Sequence, residues 1–250
     1  MKPFADHFSR IAASYATYRP RYPEALFVWL ASIAPARDRA WDCGTGNGQA
    51  AVALSRQFAY VVATDPSASQ IASAPRVDGV GYAAMTAERP AIASGAVTLV
   101  TVAQALHWFD RDLFFAEARR ALVPGGVLAV WSYGLCTLGD PALDETLSRF
   151  HRETVGPYWP AERALVDAGY DRLEFPFDEV RSPGFAMTVD WTLAQLEGYV
   201  GTWSAVQRAR AETGLDPLPE LIDSLCNAWG PEGSSRTVGW PLSLRAGRTR

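Results

Sequence analysis

The stretch Trp41-Asp42-Cys43-Gly44-Thr45-Gly46-Asn47-Gly48 places three glycines at alternate positions, beginning two residues after the acidic Asp42. A short apolar strand ends at Trp41-Asp42, and apolar residues at helical spacing follow from Gln49. Glycine suits such a strand-to-helix turn because the chain bends sharply and its backbone can approach a ligand closely. The N-terminus of the following helix presents N–H groups and a positive dipole end, which favour an anionic ligand group.

A second acidic residue, Asp65, lies 21 positions after Gly44, where the apolar strand 60–64 ends. A carboxylate at this point can accept hydrogen bonds from both hydroxyls of a ribose. Since the carboxyl ends of adjacent parallel strands meet at one edge of a sheet, we expect the glycine loop and Asp65 to face each other. Together they predict an adenosine-like ligand.

Up to residue 135, apolar strands alternate with helical patterns, which predicts an α/β fold with a mostly parallel sheet covered by helices on both faces. The predicted helices cover 23–33, 49–57, 67–74 and 110–122, and the predicted strands 60–64, 80–84, 97–102 and 127–131. Pro124-Gly125-Gly126 is predicted to be a tight turn between the last helix and the last strand.

The second half is more irregular. It shows helical patterns at 141–154, 192–213 and 217–229, and strand patterns at 175–181, 185–189 and 238–245. We predict one domain over 1–250: an N-terminal helical flap (1–34), a ligand-binding core (35–135), a helical lid or insertion (140–235), and a last strand with its tail (236–250).

Composition excludes several classes of function. The net charge is −4 and no run of basic residues occurs, so nucleic acid is not an expected partner. The three cysteines and three histidines are widely separated, so no metal site is expected. With no signal peptide or membrane-spanning stretch apparent, we expect a cytoplasmic protein. We further expect it to be a monomer or a homodimer and to act on a small molecule.

The glycine spacing separates two classes of nucleotide-binding protein. Dinucleotide folds use Gly-x-Gly-x-x-Gly, whereas 42–48 read Asp-x-Gly-x-Gly-x-Gly. This motif resembles the first motif of class I S-adenosylmethionine (SAM)-dependent methyltransferases of the type 11 kind. The segment 120–126 resembles the helix-to-strand turn of the same family. The resemblance implies a Rossmann-like, mostly parallel seven-stranded sheet, and SAM as the cofactor.

The resemblance also assigns cofactor-binding roles. In that family the loop wraps the methionine part of SAM, the acid helps to orient it, and the second acid binds the ribose. The residues implied here are Asp42, Gly44, Thr45, Gly46, Gly48, Asp65, Pro66, Ala87, Glu88 and Ala103. Thr86 departs from the usual aspartate of the Asp-Ala-Glu segment that lines the adenine.

Three further segments, 15–23, 105–110 and 199–206, resemble the branch that includes the trans-aconitate methyltransferases. An Arg-Pro break between tyrosines in 15–23 favours a flap, with Tyr15 or Arg19 reaching the cofactor. Surface packing of these aromatic residues is the alternative.

Acceptor-binding candidates are aromatic residues near the expected site: Tyr22, Trp108, Trp131 and Trp203. Tyr133 ends the same strand as Trp131 and is a further possible wall, although core packing explains these tryptophans as well. His107 follows the fourth strand and is a weak candidate for a general base, because a lone histidine is more often structural.

Methyl transfer from a sulfonium is an in-line displacement, so the protein must mainly align the acceptor and exclude water. A carboxylate acceptor needs no strong base. No pair of residues that could act together as a general base is evident in the sequence, which favours O-methylation of a carboxylate. The alternatives are a non-catalytic SAM- or nucleotide-binding module and an NAD-dependent oxidoreductase.

Overall fold

The computed structural model describes residues 20–249. Tyr15 and Arg19 lie outside this range, as does most of the predicted flap. Seven strands form a continuous sheet in the order β3-β2-β1-β4-β5-β8-β6, and an eighth strand, β7, pairs with β8. This confirms the predicted Rossmann-like α/β fold, with one strand more than the seven expected.

The strands β1 to β8 cover Arg39–Cys43, Tyr60–Asp65, Val80–Ala84, Val97–Ala103, Leu122–Ser132, Asp178–Val180, Phe185–Thr192 and Ser235–Arg248. The helices α1 to α9 cover Glu24–Ile33, Gln49–Leu54, Ala68–Ser73, Arg111–Ala121, Pro141–Arg149, Arg163–Asp167, Leu193–Gly201, Ser204–Thr213 and Leu218–Trp229. A π-helical turn, Phe150–Thr154, continues α5, and 3₁₀ turns occupy Leu106–Trp108 and Gly156–Tyr158. Among the helices of residues 20–249, none combines the length and the hydrophobicity that a membrane span requires.

Strands β1 to β5 are parallel, and their central members are apolar on both faces because helices cover both sides. One face packs under α4 around Trp41 and Phe114, and the other under α1 and α2 around Phe27 and Trp131. Strand β4 is buried along nearly its whole length. The parallel ladder therefore holds the carboxyl ends of β1, β2 and β4 at one rigid edge.

Strand β8 has two differently paired halves. Residues 243–248 lie antiparallel to β5, with β6 on the other side of 246–248, whereas residues 235–242 pair with β7. The β7–β8 ribbon extends into a separate hydrophobic cluster with α5, α7, α8 and α9. This cluster forms the part of the molecule predicted as a lid or insertion.

The helical stretch predicted over 192–213 is two helices rather than one. The chain breaks at Trp203, whose backbone is extended (φ −64°, ψ 134°). Its indole is buried against Phe150, His151, Trp159 and Tyr199, at centroid distances of 5.6–6.4 Å. The free energy gained by burying this large ring outweighs the tendency of the flanking sequence to form one continuous helix.

The turn predicted at Pro124-Gly125-Gly126 is an irregularity inside β5. Leu122 already pairs with Val97, and the register shifts before Val127 pairs with Leu99. Gly125 has φ +71°, the left-handed conformation that favours glycine. The segment is therefore a bulge that the strand absorbs, and helix α4 leads directly into β5.

Candidate active site

A cavity of about 1660 Å³ lies at the carboxyl ends of β1, β2 and β4. It brings together most of the predicted site residues: Gly44, Thr45, Gly46, Asp65, Pro66, Ala87, Glu88, Ala103, Tyr22, His107 and Trp108. The cavity runs from the glycine loop to helices α6 and α8 of the C-terminal half. It is therefore large enough to hold a nucleoside-sized molecule and a second small molecule.

The three glycines of the loop have different structural roles, although all have positive φ values of 56–85°. A Cβ on Gly44 would lie 2.6 Å from Cβ of Ala105, and one on Gly48 would collide with the hydroxyl of Tyr82. A Cβ on Gly46 would meet no protein atom within 4 Å, because Gly46 borders the cavity. Gly44 and Gly48 let the chain pack closely, and Gly46 leaves room for a ligand.

Asp42 lies beneath the loop and is fully buried, so it does not line the cavity. Its carboxylate accepts hydrogen bonds from the hydroxyls of Thr45 (2.6 Å) and Thr101 (2.7 Å). Burial raises its pKa to about 6, against the opposing effect of those two hydrogen bonds. Asp42 therefore holds Thr45 and the loop from beneath and does not reach the cavity, in contrast to the direct orienting role expected from the resemblance.

Gly48 is likewise not at the cavity wall. It is the N-cap of α2, in the left-handed conformation. Its predicted contact with the cofactor is therefore replaced by a structural role at the helix start.

Asp65 ends β2 and borders the cavity. Its Oδ2 accepts a hydrogen bond from the Gly46 N–H and its Oδ1 one from the Ser67 N–H, both 2.9 Å. Ser67 in turn caps α3 by accepting from Gln70 N–H. These contacts fix the orientation of the carboxylate at the point where the sequence predicts a ribose.

The segment 86–88 forms the wall beyond Asp65. Ala87 is buried, and Glu88 accepts a hydrogen bond from the Asp110 N–H at 3.0 Å. Asp110 caps α4 by accepting from Leu113 N–H. The helix start thus holds Glu88 in place, and Thr86 reaches the same wall despite its departure from the family pattern.

His107 and Trp108 border the cavity in the 3₁₀ turn after β4. Nδ1 of His107 lies 3.0 Å from the hydroxyl of the buried Tyr170. Burial, and then the charge of Arg163, lower the pKa of His107 to about 3. His107 is therefore a neutral imidazole and a weak base near neutral pH, which argues against the predicted general-base role.

Two of the four predicted acceptor residues are core residues. Trp131 is fully buried between β5 and α1, with its ring 5.5 Å from that of Tyr22, and Trp203 lies in the aromatic cluster described above. Neither lines the cavity. Trp131 and Tyr133 are two residues apart and both pack against Tyr22. Trp131 lies inside β5 and is covered by Tyr22 and Phe27, whereas Tyr133 lies past the strand end and reaches the cavity.

The structure adds two residues that the sequence did not single out, Gln104 at the end of β4 and Arg208 on α8. Arg208 is half-buried at the cavity wall, and no acidic side chain among residues 20–249 forms an ion pair with it. Helical spacing alone does not show which face of α8 meets the cavity. No group of three potential metal ligands occurs within the described chain.

Comparison with known proteins shows the family of the chain. A family model described as a methyltransferase domain matches residues 41–130. A Dictyostelium discoideum protein named as a methyltransferase is 34% identical over 239 residues, which cover 94% of this chain and 91% of that protein. The chain belongs to the class I SAM-dependent methyltransferases.

Solved structures agree with this assignment. An Anaeromyxobacter dehalogenans protein described as a type II methyltransferase is 44% identical, with a TM-score of 0.87 over 92% of this methyltransferase and 98% of that chain. A protein from an antibiotic biosynthesis pathway of Anabaena variabilis has a TM-score of 0.55 at 18% identity, and shares the fold. The chain is a SAM-dependent methyltransferase, so the dehydrogenase and non-catalytic alternatives are set aside.

Proposed function

We propose that this methyltransferase transfers the methyl group of SAM to a carboxylate oxygen of a small molecule. The observation that carries the acceptor class is Arg208, a half-buried guanidinium at the cavity wall without an ion-pair partner in the described chain. Glu162 lines the same wall, but no ion pair joins it to Arg208. A partly buried cation without a counter-charge favours an anionic ligand, and a guanidinium matches a carboxylate through paired hydrogen bonds.

The cofactor site consists of the loop and the β2 end. Gly46 leaves the space that a ligand needs, since a Cβ there would enter the cavity, and Asp65 presents a fixed carboxylate beside it. Thr86, Ala87 and Glu88 supply the wall for the adenine. SAM supplies an activated methyl group with its own leaving group, and these residues hold and orient it.

The acceptor site lies at the other end of the same cavity. Tyr22, Tyr133 and Trp108 give it apolar walls, and Arg208 faces it from α8. A carboxylate is already ionised near neutral pH, so the weakly basic His107 is no obstacle to the reaction. Alignment of the two reactants and exclusion of water are then the tasks of the protein. The resemblance of 15–23, 105–110 and 199–206 to trans-aconitate methyltransferases points to the same acceptor class.

A screen of small mono- and polycarboxylates with radiolabelled SAM tests the proposal by detecting methyl esters. Arg208→Ala is expected to raise KM for the accepted carboxylate about ten- to hundredfold, with SAM affinity unchanged. Arg210→Ala is the matched control, because Arg210 lies on the same helix but pairs with Asp216 at 2.8 Å and does not line the cavity. Ester formation from none of the acids, or an equal effect of the two variants, would contradict the proposal.

A further inference from the structure

Tyr170 has an unusual backbone for its residue type. It lies in the loop between α6 and β6 with a φ of +63°, and only one other non-glycine residue of the described chain has a positive φ. This conformation is strained for a residue with a Cβ, and it persists where the surrounding structure enforces it, often at functional sites. Here Arg245 of β8 enforces it by donating hydrogen bonds to the carbonyl oxygens of Tyr170 and Leu173, at 3.2 and 2.6 Å.

The side chain of Tyr170 lies directly behind one residue of the cavity wall. The side chain is buried, with 1% of its surface exposed. Its hydroxyl lies 3.0 Å from Nδ1 of His107, and no other side chain of residues 20–249 bonds to that hydroxyl. The strained loop therefore places one phenol against one imidazole.

The direction of this hydrogen bond follows from the environment of the phenol. Burial raises the pKa of Tyr170, and hydrogen bonds from the backbone N–H groups of His107 and Leu106 to its oxygen oppose that rise only in part. The hydroxyl therefore keeps its proton, and a buried hydroxyl proton needs an acceptor. Nδ1 of His107 is the acceptor that the described chain offers. Because His107 is neutral, its single ring proton then lies on Nε2.

Nε2 of His107 is accessible to a ligand. His107 is a half-buried residue of the cavity wall, and its Nε2 has no hydrogen-bond partner among the residues that the structure describes. Nor does Nε2 belong to the enclosed polar atoms without a partner in that part of the chain, so it keeps accessible surface. The wall therefore offers a neutral N–H donor to the cavity.

The packing of the 3₁₀ turn indicates which reactant meets this donor. The turn Leu106–Trp108 packs against α6, and Pro160, Ala161 and Leu165 of that region line the same cavity. This is the end of the cavity proposed above for the acceptor. The nucleoside is proposed at Asp65, on β2, which β1 separates from β4 in the sheet.

We propose that Nε2–H of His107 donates a hydrogen bond to the carboxylate of the acceptor, and that Tyr170 is the positioning residue that fixes this tautomer. The inference rests on the proposed function and deepens it. A neutral N–H recognises an oxygen with free lone pairs, and it offers no lone pair to an ammonium group or to a hydroxyl proton. His107 thus favours ionised oxygen acids over amines as acceptors.

Nuclear magnetic resonance of the full chain with ¹⁵N-labelled histidine tests the tautomer without any acceptor present. The chain has three histidines, and the His107 signals are those that disappear in His107→Phe. We expect a protonated Nε2 and an unprotonated Nδ1 near neutral pH. Tyr170→Phe removes only the hydroxyl, so the Nδ1 signal of His107 should shift while the signals of His151 serve as the control. A proton on Nδ1 in the wild type, or no shift in Tyr170→Phe, would overturn the proposal.

Steady-state kinetics test the contact with the acceptor. His107→Phe keeps a planar ring without an N–H, and is expected to raise KM for the accepted carboxylate about ten- to hundredfold, with SAM affinity unchanged. His107→Gln is the matched control, because its amide carries N–H groups at about the reach of Nε2, and it should recover most of the loss. A residue that only filled space would give the opposite order, since phenylalanine resembles the imidazole ring more closely in shape.

His107→Leu also lacks an N–H and replaces His107→Phe if that variant folds poorly. An unchanged KM without the N–H, or no recovery in His107→Gln, would contradict the contact. Failure of the wild type to methylate any carboxylate is a distinguishable result. It would contradict the proposed function and with it the contact to a carboxylate, whereas the tautomer is measured in the free protein.

Discussion

The N–H of Gly46 donates a 2.9 Å hydrogen bond to Oδ2 of Asp65, and so joins the loop after β1 to the end of β2. The two residues lie 19 positions apart in the chain and come together because β1 and β2 are adjacent parallel strands. Asp65 therefore has two roles. Its carboxylate holds the glycine loop, and the same carboxylate is proposed to bind the ribose of the cofactor.

Removing this carboxylate should weaken every nucleoside ligand. Asp65→Ala is expected to lower the affinity for both S-adenosylhomocysteine and 5′-methylthioadenosine by about 1–3 kcal/mol, because each loses a charged hydrogen-bond acceptor. Titration calorimetry measures both values. Asp78→Ala, which changes an exposed acid outside the cavity, is the control. Unchanged affinities in Asp65→Ala would exclude Asp65 as a ligand contact.

A second prediction separates backbone strain from blockage of the cavity. Gly46 and Gly214 both have positive φ, +56° and +72°, and a Cβ on either meets no protein atom within 4 Å. Gly46→Ala and Gly214→Ala should therefore lose similar stability, about 1–2 kcal/mol in urea unfolding. Gly46→Ala alone should weaken S-adenosylhomocysteine, because Gly214 ends α8 away from the cavity. Equal affinities in the two variants would show that the space at Gly46 is not used by the ligand.

The buried Asp42 should make stability depend on pH. Burial raises its pKa from 3.8 to about 6, so the folded state binds this proton more tightly than the unfolded state. The resulting destabilisation is absent below pH 3.8, grows as pH rises, and is complete above about pH 6, at about 3 kcal/mol. Between pH 4.5 and 7.5 the free energy of unfolding of the wild type should fall relative to that of Asp42→Asn, which does not ionise. Parallel curves for the two proteins would show that Asp42 titrates near its ordinary pKa.

His107 should contribute no titration to catalysis. Its pKa is lowered to about 3, so the imidazole is neutral throughout pH 5–9. His107→Asn is expected to change kcat by the same factor at every pH in that range, because it removes a neutral cavity wall and not a base. Steady-state kinetics across the range provide the measurement. The general-base role would be restored if the plot of kcat against pH showed a limb with a pKa near 6–7 in the wild type and lost that limb in His107→Asn.

Much of the fold and of the nucleoside end of the site follows from local sequence. The glycine loop and Asp65 were predictable because they lie at the ends of β1 and β2, and strand ends share one edge of a parallel sheet. Ala87 and Glu88 were expected from the family resemblance alone. The corresponding strand predictions agree with the structure to within about one residue, as at Tyr60–Asp65 and Val80–Ala84.

The acceptor end was less predictable, for two physical reasons. Trp131 and Trp203 are bulky residues near the site in sequence, but core packing turns their rings away from the cavity. Gln104 reaches the cavity through a backbone bend, and Arg208 reaches it because of the face that α8 presents. Neither feature leaves a pattern of residues in the sequence. The wall proposed to bind the acceptor is built by tertiary contacts between distant segments, which no local sequence pattern records.

The unbroken course of β8 has a mechanical consequence. One continuous strand serves as a sheet member at residues 243–248 and as a support of the helical cluster at 235–242. Helix α8, which carries Arg208, belongs to that cluster, so both ends of the cavity are attached to one strand. A methyltransferase built in this way would change its choice of acceptor most directly by substituting side chains on the cavity wall.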